Sequence, residues 1–251
     1  MRNEPDGARK HERIAADLRA KIHAGELRDG DRLPGENVLM NQYGVARMTA
    51  RQALAALRAE GIAVARKGVG VFVRSSRPVR RFGGRRLSRD VWRAGRSMWD
   101  VDETHTPVSV DRLEVREQPV SEDVARLLGI PPGAPVVVRD RRYIVGERPV
   151  QLATAFIPRD IAAGTSLVDQ DTGPGGIYAR LAELGHEPTR FTEELRVRMP
   201  TPQESQALEL PTGTPVILVA RTAYTRDDRP VEASLMTLSA DAYVLQYDFD
   251  A

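Results

Sequence analysis

Four side chains at the start of one helical segment suit contacts with the bases and phosphates of DNA, namely Arg47, Met48, Thr49 and Arg51. The planar guanidinium of an arginine can hold O6 and N7 of a guanine together through two hydrogen bonds. The spacing of Ala50, Leu54 and Leu57 predicts a helix over residues 47–60, with these three side chains facing inward. The four candidate residues would then lie at its outward N-terminal end.

Two further helical segments precede this one. Apolar residues repeat at helical spacing from Ile14 to Leu27, and residues 36–43 predict a second, shorter helix. Gly44 begins the turn to the third helix, because glycine adopts a left-handed backbone at little cost. This order predicts a helix-turn-helix, in which the N-terminal end of the last helix enters the major groove of DNA.

A short hairpin follows the three helices. Residues 62–65 and 71–73 predict two strands, joined by a glycine-containing turn that carries Arg66 and Lys67. The glycines permit close backbone approach, and the two cations bring positive charge to a phosphate or a minor groove. The segment therefore predicts a winged helix-turn-helix, and a helical bundle with a solvated basic face is the less favoured alternative. The candidate DNA-binding residues are Asn37, Arg47, Met48, Thr49, Arg51, Arg66, Lys67, Gly68 and Gly70.

Charge divides the 251-residue chain into a basic and an acidic part. Residues 1–96 hold 22 Lys and Arg against 10 Asp and Glu, whereas residues 97–251 hold 15 against 25. The basic part ends in an arginine-rich stretch, interpreted either as a linker that follows DNA phosphates or as a solvated hinge. The predicted organisation is a disordered N-terminus (residues 1–9), a winged helix-turn-helix domain (10–75), a basic linker (76–104) and a second domain (105–251).

Composition disfavours several classes of function. The chain has no cysteine, so neither a disulfide framework nor thiol chemistry is expected. No apolar stretch approaches membrane-spanning length, and we therefore expect a cytoplasmic protein associated with the nucleoid. No cofactor or metal is expected, because the four histidines show no metal-ligand spacing: His11, His23, His105 and His186.

The second part of the chain alternates between strands and helices. Helices are predicted near residues 122–128, 177–184 and 203–210. This mixture predicts an α+β fold with a mainly antiparallel sheet. The predicted strands cover residues 108–116, 136–145, 150–157, 192–199, 216–225, 231–238 and 243–249.

This second part also repeats itself weakly. Residues 128–136 match residues 208–216, and residues 148–151 match residues 229–232. A unit of helix, Pro-Gly turn and two strands therefore occurs twice, and two copies are too few for a solenoid. The repeat predicts two pseudo-symmetric halves of one sheet, with a cleft where they meet.

Several polar side chains of these strands are candidates for binding a small ligand. Arg139 and Arg141 share one face of their strand because alternate residues point the same way, and Gln151 lies on the next strand. Arginine pairs bidentately with carboxylate or phosphate, so the face would suit an anionic or hydroxylated molecule. Exposed cross-strand ion pairs are the alternative. The candidate effector-binding residues are Arg139, Arg141, Gln151, Tyr178, Glu193, Arg221, Tyr224 and Glu232.

The chain resembles one family over nearly its whole length. Its first part resembles the GntR family of bacterial transcription regulators, through residues 25–36, 43–54 and 67–73. Its second part is similar to the UTRA effector-binding domain of the HutC subfamily, whose fold is related to chorismate lyase, through residues 127–135, 177–181 and 221–232. The chain departs from the family at three positions. Asn37 replaces a phosphate-binding Arg, Ala46 replaces a capping Ser or Thr, and Gly176 stands where sugar-phosphate-binding members carry Ser.

The resemblance implies a function in transcription control. Its implied form is a homodimeric repressor that binds an inverted-repeat operator and is released by a small-molecule effector. One alternative is an effector-independent repressor with a vestigial pocket, of the plasmid-transfer type. Another is an enzyme of chorismate-lyase-like fold, which the lack of a nucleophile motif and of a P-loop disfavours.

Overall fold

The computed structural model describes residues 6–28, 30–66, 68–74, 78–104 and 106–249. The chain divides into two compact units, of which the first comprises residues 1–77 and 211–214 and the second comprises residues 78–210 and 215–251. Both units combine helices and strands, which confirms the predicted α+β class.

The first unit begins with three helices: α1 (Asp6–His23), α2 (Glu36–Tyr43) and α3 (Arg47–Ala59). Ile14 and Leu18 of α1 pack with Leu39 of α2 and Leu57 of α3, and all four are at most 2% exposed. The predicted disorder over residues 1–9 is wrong for residues 6–9, which add about one turn to the start of α1. Ala and Arg in this stretch favour helix, and residues 1–5 lie outside the described residues.

The turn between α2 and α3 has the predicted backbone. Gly44 adopts φ 60° and ψ 43°, a left-handed conformation that glycine tolerates best. Ala46 is the N-cap of α3 and offers no side-chain hydrogen bond, so the first amide groups of α3 lack this partner.

A hairpin of two strands, β1 (Ala63–Arg66) and β2 (Gly70–Val73), completes the first unit. The strands are antiparallel, with Ala63 opposite Val73 and Arg66 opposite Gly70. Ala63 and Val73 are buried in the core formed by the three helices. This hairpin is the predicted wing.

The second unit is built on one six-stranded antiparallel sheet in the order β4-β5-β6-β9-β8-β7. The order is that of two three-stranded halves joined by the pair β6–β9, as the internal repeat predicted. The six strands are β4 (Val108–Pro119), β5 (Pro135–Val145), β6 (Arg148–Pro158), β7 (Arg190–Arg198), β8 (Val216–Tyr224) and β9 (Pro230–Ser239).

Helices cover the sheet, and α5 and α7 pack in separate cores. Val136 and Val138 of β5 contact the core that includes α5, whereas Val137 between them contacts the core that includes α7. This explains the unbroken run of three valines, since a strand buried on both faces needs no polar alternation. The helices of this part are α5 (Glu122–Leu128), α6 (Arg159–Ala162), α7 (Gly176–Glu183) and α8 (Pro202–Ala207).

The arginine-rich segment is folded, and its interpretation as a linker over residues 76–104 is wrong for residues 78–104. It contains strand β3 (Val79–Phe82) and helix α4 (Arg89–Arg93). Strand β10 (Tyr243–Gln246) pairs in parallel with β3 instead of joining the large sheet. Arg81 and Arg86 are 0% and 3% exposed, because each pairs with a carboxylate of the same unit. Neither guanidinium can therefore follow a DNA backbone.

Candidate functional site

The N-terminal end of α3 presents the side chains that the sequence singled out. Met48 is 62% exposed, although methionine is a large apolar residue that is more often buried. Arg51 is also exposed and has no hydrogen-bond or ion-pair partner among the described residues. Thr49 is half-buried between them. Three neighbouring side chains at a helix start, two of them open to solvent, form a surface that a DNA groove could cover.

Arg47 has a partner within its own unit. Its Nε donates to Oε2 of Glu36 at 2.7 Å, which links the first residue of α3 to the first residue of α2. The Arg47 side chain is 73% exposed, so the pair contributes at most about 1 kcal/mol. Its main effect is to hold the guanidinium beside the start of α2.

An open hollow of about 640 Å³ lies beside this ion pair. Asn37 is exposed at its edge, and its uncharged amide offers both donors and an acceptor. The hollow is lined by Arg32, Leu33, Pro34, Gly35, Glu36, Asn37, Val38 and Arg47.

The wing turn has the backbone that its glycines imply. Gly68 and Gly70 adopt φ values of 74° and 145°, a region that side-chain-bearing residues rarely occupy. The guanidinium of Arg66 lies over the ring of Phe72, with 4.6 Å between its central carbon and the ring centroid. Lys67, the other predicted cation of the wing, lies outside the described residues.

The second unit encloses a cavity of about 1090 Å³ against its sheet. Both halves of the sheet contribute, through β4, β5 and β6 on one side and β8 and β9 on the other. The cleft that the internal repeat predicted is therefore present. Six of the eight effector-binding candidates line it: Arg139, Arg141, Gln151, Tyr178, Arg221 and Glu232.

Five of these six side chains are at most 4% exposed, and only Arg141 is more open. This burial contradicts the alternative interpretation as exposed cross-strand ion pairs. Buried polar groups lower the stability of a fold unless each finds a partner. The partners of each group therefore decide which of them remain free for a ligand.

Arg139 is occupied by the protein itself. Its guanidinium donates to the carbonyl oxygens of Leu167 and Gln170 at 2.8 Å, and to that of Asp169. Burial, together with repulsion from Arg141, lowers the pKa of Arg139 to about 10. The side chain therefore fixes the loop that follows α6, and only indirectly shapes the cavity.

Glu232 lies at the centre of a buried hydrogen-bond network. It accepts from the Tyr178 hydroxyl at 3.2 Å and from the Ser234 hydroxyl. Burial raises the pKa of Glu232, against the opposing attraction of Arg221. A carboxyl group so placed can accept a hydrogen bond from a ligand hydroxyl or amine.

Arg221 connects the cavity to a buried ion cluster. Its Nη1 lies 3.9 Å from Oε1 of Glu193, which also pairs with Arg81 and accepts from the Tyr247 hydroxyl at 2.7 Å. Burial opposes ionisation of Glu193, but the hydrogen bonds and charge of Arg81 outweigh it, so the pKa of Glu193 is lowered. Glu193 thus supports Arg221 from behind and does not line the cavity.

Tyr224 is also placed outside the cavity. Its ring carries the guanidinium of Arg190 at 3.9 Å from the ring centroid. Tyr224 lies at the far end of β8, opposite Arg190 at the start of β7. Strand alternation could assign a face to this residue but not its position along the strand relative to the cleft.

Arg141 is the cation of the cavity that remains available. It is half-buried, and it has no hydrogen-bond or ion-pair partner among the described residues. Tyr143, two residues further along β5, lies on the same side and contacts Trp99, with 5.0 Å between ring centroids and the ring planes tilted by 44°. A free guanidinium beside aromatic rings suits a planar or anionic group of a ligand.

Sequence reasoning missed the cavity residues that precede β4. Arg86, Met98, Trp99 and Asp102 all line the cavity, and all belong to the segment interpreted as a linker. Arg86 Nη1 lies 3.2 Å from Asp102 Oδ2, and burial lowers the pKa of Arg86 to about 10. Two tryptophans within eight residues, unusual in a solvated linker, were the signal in the sequence that this segment is folded.

A glycine-rich loop closes the cavity at the start of α7. Gly173, Gly175 and Gly176 all have positive φ, and all three line the cavity. A Cβ at Gly175 would come within 2.6 Å of the Ala179 Cβ and would also overlap the Trp92 carbonyl oxygen. Only glycine fits there without displacing α4 or α7.

Among the described residues, no group of three or more His, Asp and Glu side chains could hold a metal ion. No helix in this part of the chain is both long enough and apolar enough to cross a membrane.

A winged helix-turn-helix and a separate domain with a ligand-sized cavity together define a class of DNA-binding regulator. Family models agree with both parts of this definition. Residues 10–73 match the model of bacterial regulatory proteins of the gntR family, and residues 105–244 match the UTRA domain. The chain belongs to the GntR family and carries a UTRA effector domain.

Relatives across the whole length support this assignment. An uncharacterized HTH-type transcriptional regulator of Streptomyces coelicolor is 30% identical, covering 96% of this chain and 93% of that protein. The HTH-type transcriptional repressor NagR of Bacillus subtilis is 26% identical, covering 94% and 93%.

Solved structures agree with the sequence relatives. A crystal structure of a GntR-family transcriptional regulator has a TM-score of 0.58 and 26% identity, covering 96% of this chain and 98% of that one. PhnF from Mycobacterium smegmatis, with a TM-score of 0.55, 23% identity and coverage of 95% and 99%, supports the fold. The chain is a DNA-binding transcriptional regulator and not an enzyme of the chorismate-lyase type.

Proposed function

We propose that this regulator is a homodimeric repressor of the HutC type that binds an inverted-repeat operator and is released by a small effector. Two copies related by a two-fold axis would place two copies of α3 in successive major grooves, about one helical turn apart. The relative NagR is a transcriptional repressor. The protein would act in the cytoplasm, on the nucleoid.

We assign DNA recognition to two exposed parts of the first unit, the N-terminal end of α3 and the wing. Met48 and Arg51 would meet base edges, with Thr49 and Arg47 placed for the adjoining bases or phosphates. The side-chain amide of Asn37 would donate a hydrogen bond to a phosphate oxygen of the DNA backbone at the start of α2. The wing, through Arg66, Lys67, Gly68 and Gly70, would approach the phosphate backbone or the minor groove.

The observation that carries effector control is the unpartnered Arg141 inside a cavity of about 1090 Å³. The volume is at the upper end of the range for small-molecule pockets. A free cation beside Glu232, Gln151 and Arg221 suits a small anion that also carries hydroxyl or amine groups.

A release assay tests this function. Operator DNA would be obtained by selection from genomic fragments, and its complex would be titrated with a panel of small carboxylates and phosphate esters. Release should change DNA affinity roughly 5–150-fold, the usual range of allosteric coupling. Trp99 lines the cavity and is one of only two tryptophans, so its fluorescence reports ligand binding without DNA.

Arg141→Ala is the decisive variant for this assay. It should bind the operator as tightly as the wild type but fail to be released by the active compound. A variant that is released normally would exclude Arg141 from the effector site. If the wild type bound no member of the panel by fluorescence, the effector-independent repressor would be favoured.

A further inference from the structure

The β2 edge of the wing pairs with a short backbone segment that the sequence did not reveal. The backbone of Arg32 forms an antiparallel bridge with Phe72 of β2. On either side of it, the Leu33 amide donates to the Val71 carbonyl at 2.8 Å and the Val73 amide donates to the Asp31 carbonyl at 2.7 Å. The chain before α2 is therefore held against the wing by backbone hydrogen bonds.

This pairing puts two arginines on one face of the wing. Paired residues of neighbouring strands point to the same face, as do residues two apart in one strand. Arg32 therefore shares a face with Phe72 and Gly70, and so does Arg66, which pairs with Gly70. The opposite face carries Val73, which is buried in the core.

Gly70 lies under the Arg32 side chain. A Cβ built on Gly70 would be 2.8 Å from Nε of Arg32 and 3.3 Å from one of its terminal nitrogens. The Arg32 guanidinium thus crosses β2 at Gly70, the one residue of β2 that has no side chain. Arg66 covers Phe72 beside it, so two guanidinium groups flank Gly70.

Arg32 has no competing partner. Among the described residues its guanidinium makes no hydrogen bond and no ion pair, whereas Arg47 in the same hollow is paired with Glu36. It is exposed, so a phosphate can reach it. Its backbone is already fixed by the bridge to Phe72, which lowers the ordering cost of any contact it makes.

We propose that Arg32 is a DNA-contacting residue that binds a backbone phosphate beside the wing, together with Arg66. The contact is with a phosphodiester and not with a base edge, because Arg32 lies beside strand β2 of the wing and not on α3. It anchors the wing and sets its position along the duplex, as phosphate contacts do. The proposal rests on DNA binding alone and is independent of the effector.

The salt dependence of DNA binding tests this role. Each phosphate contact adds about 0.9 to the slope of log affinity against log salt, so Arg32→Ala should lower that slope by about one. Near 0.15 M salt the same contact corresponds to roughly a fivefold loss of affinity. Fluorescence anisotropy at four salt concentrations measures both quantities on a selected operator and on a scrambled duplex.

Matched variants separate a contact from a general charge effect. Arg58→Ala removes an equally exposed arginine at the opposite end of α3 and should leave the slope unchanged. Arg32→Lys keeps the charge and should keep the slope, with an unchanged melting temperature showing that the wing is intact. An equal loss on both duplexes supports the phosphate contact. A loss confined to the operator, or an unchanged slope, would overturn it.

Discussion

At the scale of single residues, the structure separates arginines that support the fold from arginines that are free to bind. Arg81 is fully buried and shares Glu193 with Arg221, so its charge is neutralised within the protein. Arg51 and Arg141 have no partner among the described residues, one at the start of α3 and the other in the cavity. The same residue type therefore supports the fold at some positions and is left available for binding at others, according to its surroundings.

Arg51→Ala should weaken binding to the selected operator by about 1–3 kcal/mol if Arg51 reads a base. The loss should be much smaller on a scrambled duplex, because a base contact exists only at the correct sequence. Anisotropy titrations of both duplexes measure the two losses. Equal losses on both would show that Arg51 contacts a phosphate, and an unchanged affinity would exclude it from the interface.

Glu193→Gln should destabilise the second unit by about 3–5 kcal/mol, because it leaves Arg81 buried without a charged partner. Urea denaturation at neutral pH measures the free energy of unfolding. Glu122→Gln, which removes an exposed partner of Arg126, is the control and should change it by less than about 0.5 kcal/mol.

The effect of this variant should depend on pH in a defined direction. The pKa of Glu193 is lowered in the folded protein, so its stabilisation is complete above the ordinary carboxyl value of about 4.3 and is lost as the pH falls through the lowered pKa. The stability difference between wild type and variant should therefore narrow on acidification. A difference that stays constant down to strongly acidic pH would mean that the lost charge is not its origin.

At the scale of elements, the glycine-rich loop before α7 illustrates how one position can fix a cavity wall. Gly175→Ala combines a positive φ of 78° with an overlap against Trp92 and Ala179. It should cost more than the 1–3 kcal/mol of backbone strain alone. Gly164→Ala is the control, since Gly164 has φ 73° but nothing within 4 Å of an added Cβ. Thermal melting of both variants gives the comparison, and equal losses would contradict the packing argument.

The sequence predicted most elements because their signals are local. Alternating apolar residues and Pro-Gly turns located the six strands of the large sheet, and the repeat located the two halves. Strand β3 was missed, because the charge on Arg81 is neutralised by Glu193, 112 residues away. No local pattern reports such a pairing. Six of the eight effector-binding candidates line the cavity, five of them on strands and Tyr178 on α7. Tyr224 does not line it, because a strand face does not fix a position along the strand.

At the scale of the whole molecule, the N-terminal part of the chain carries a positive net charge and the C-terminal part a negative one. The basic residues of the first unit would attract the DNA backbone, while the acidic second unit would not compete for it. An excess of purified second unit should therefore not displace the full chain from DNA. Displacement, measured by anisotropy, would show that the second unit binds DNA itself.

We propose that the first unit recognises a specific DNA sequence. The most direct test of this proposal is a fluorescence anisotropy titration of the full chain against the duplex selected from genomic fragments, beside a scrambled duplex, at two salt concentrations. We expect tight binding to the selected duplex and at least a thousandfold weaker binding to the scrambled one. Salt should weaken the binding to both duplexes. Equal affinity for the two duplexes would contradict the proposal, since the protein would then hold DNA without reading it.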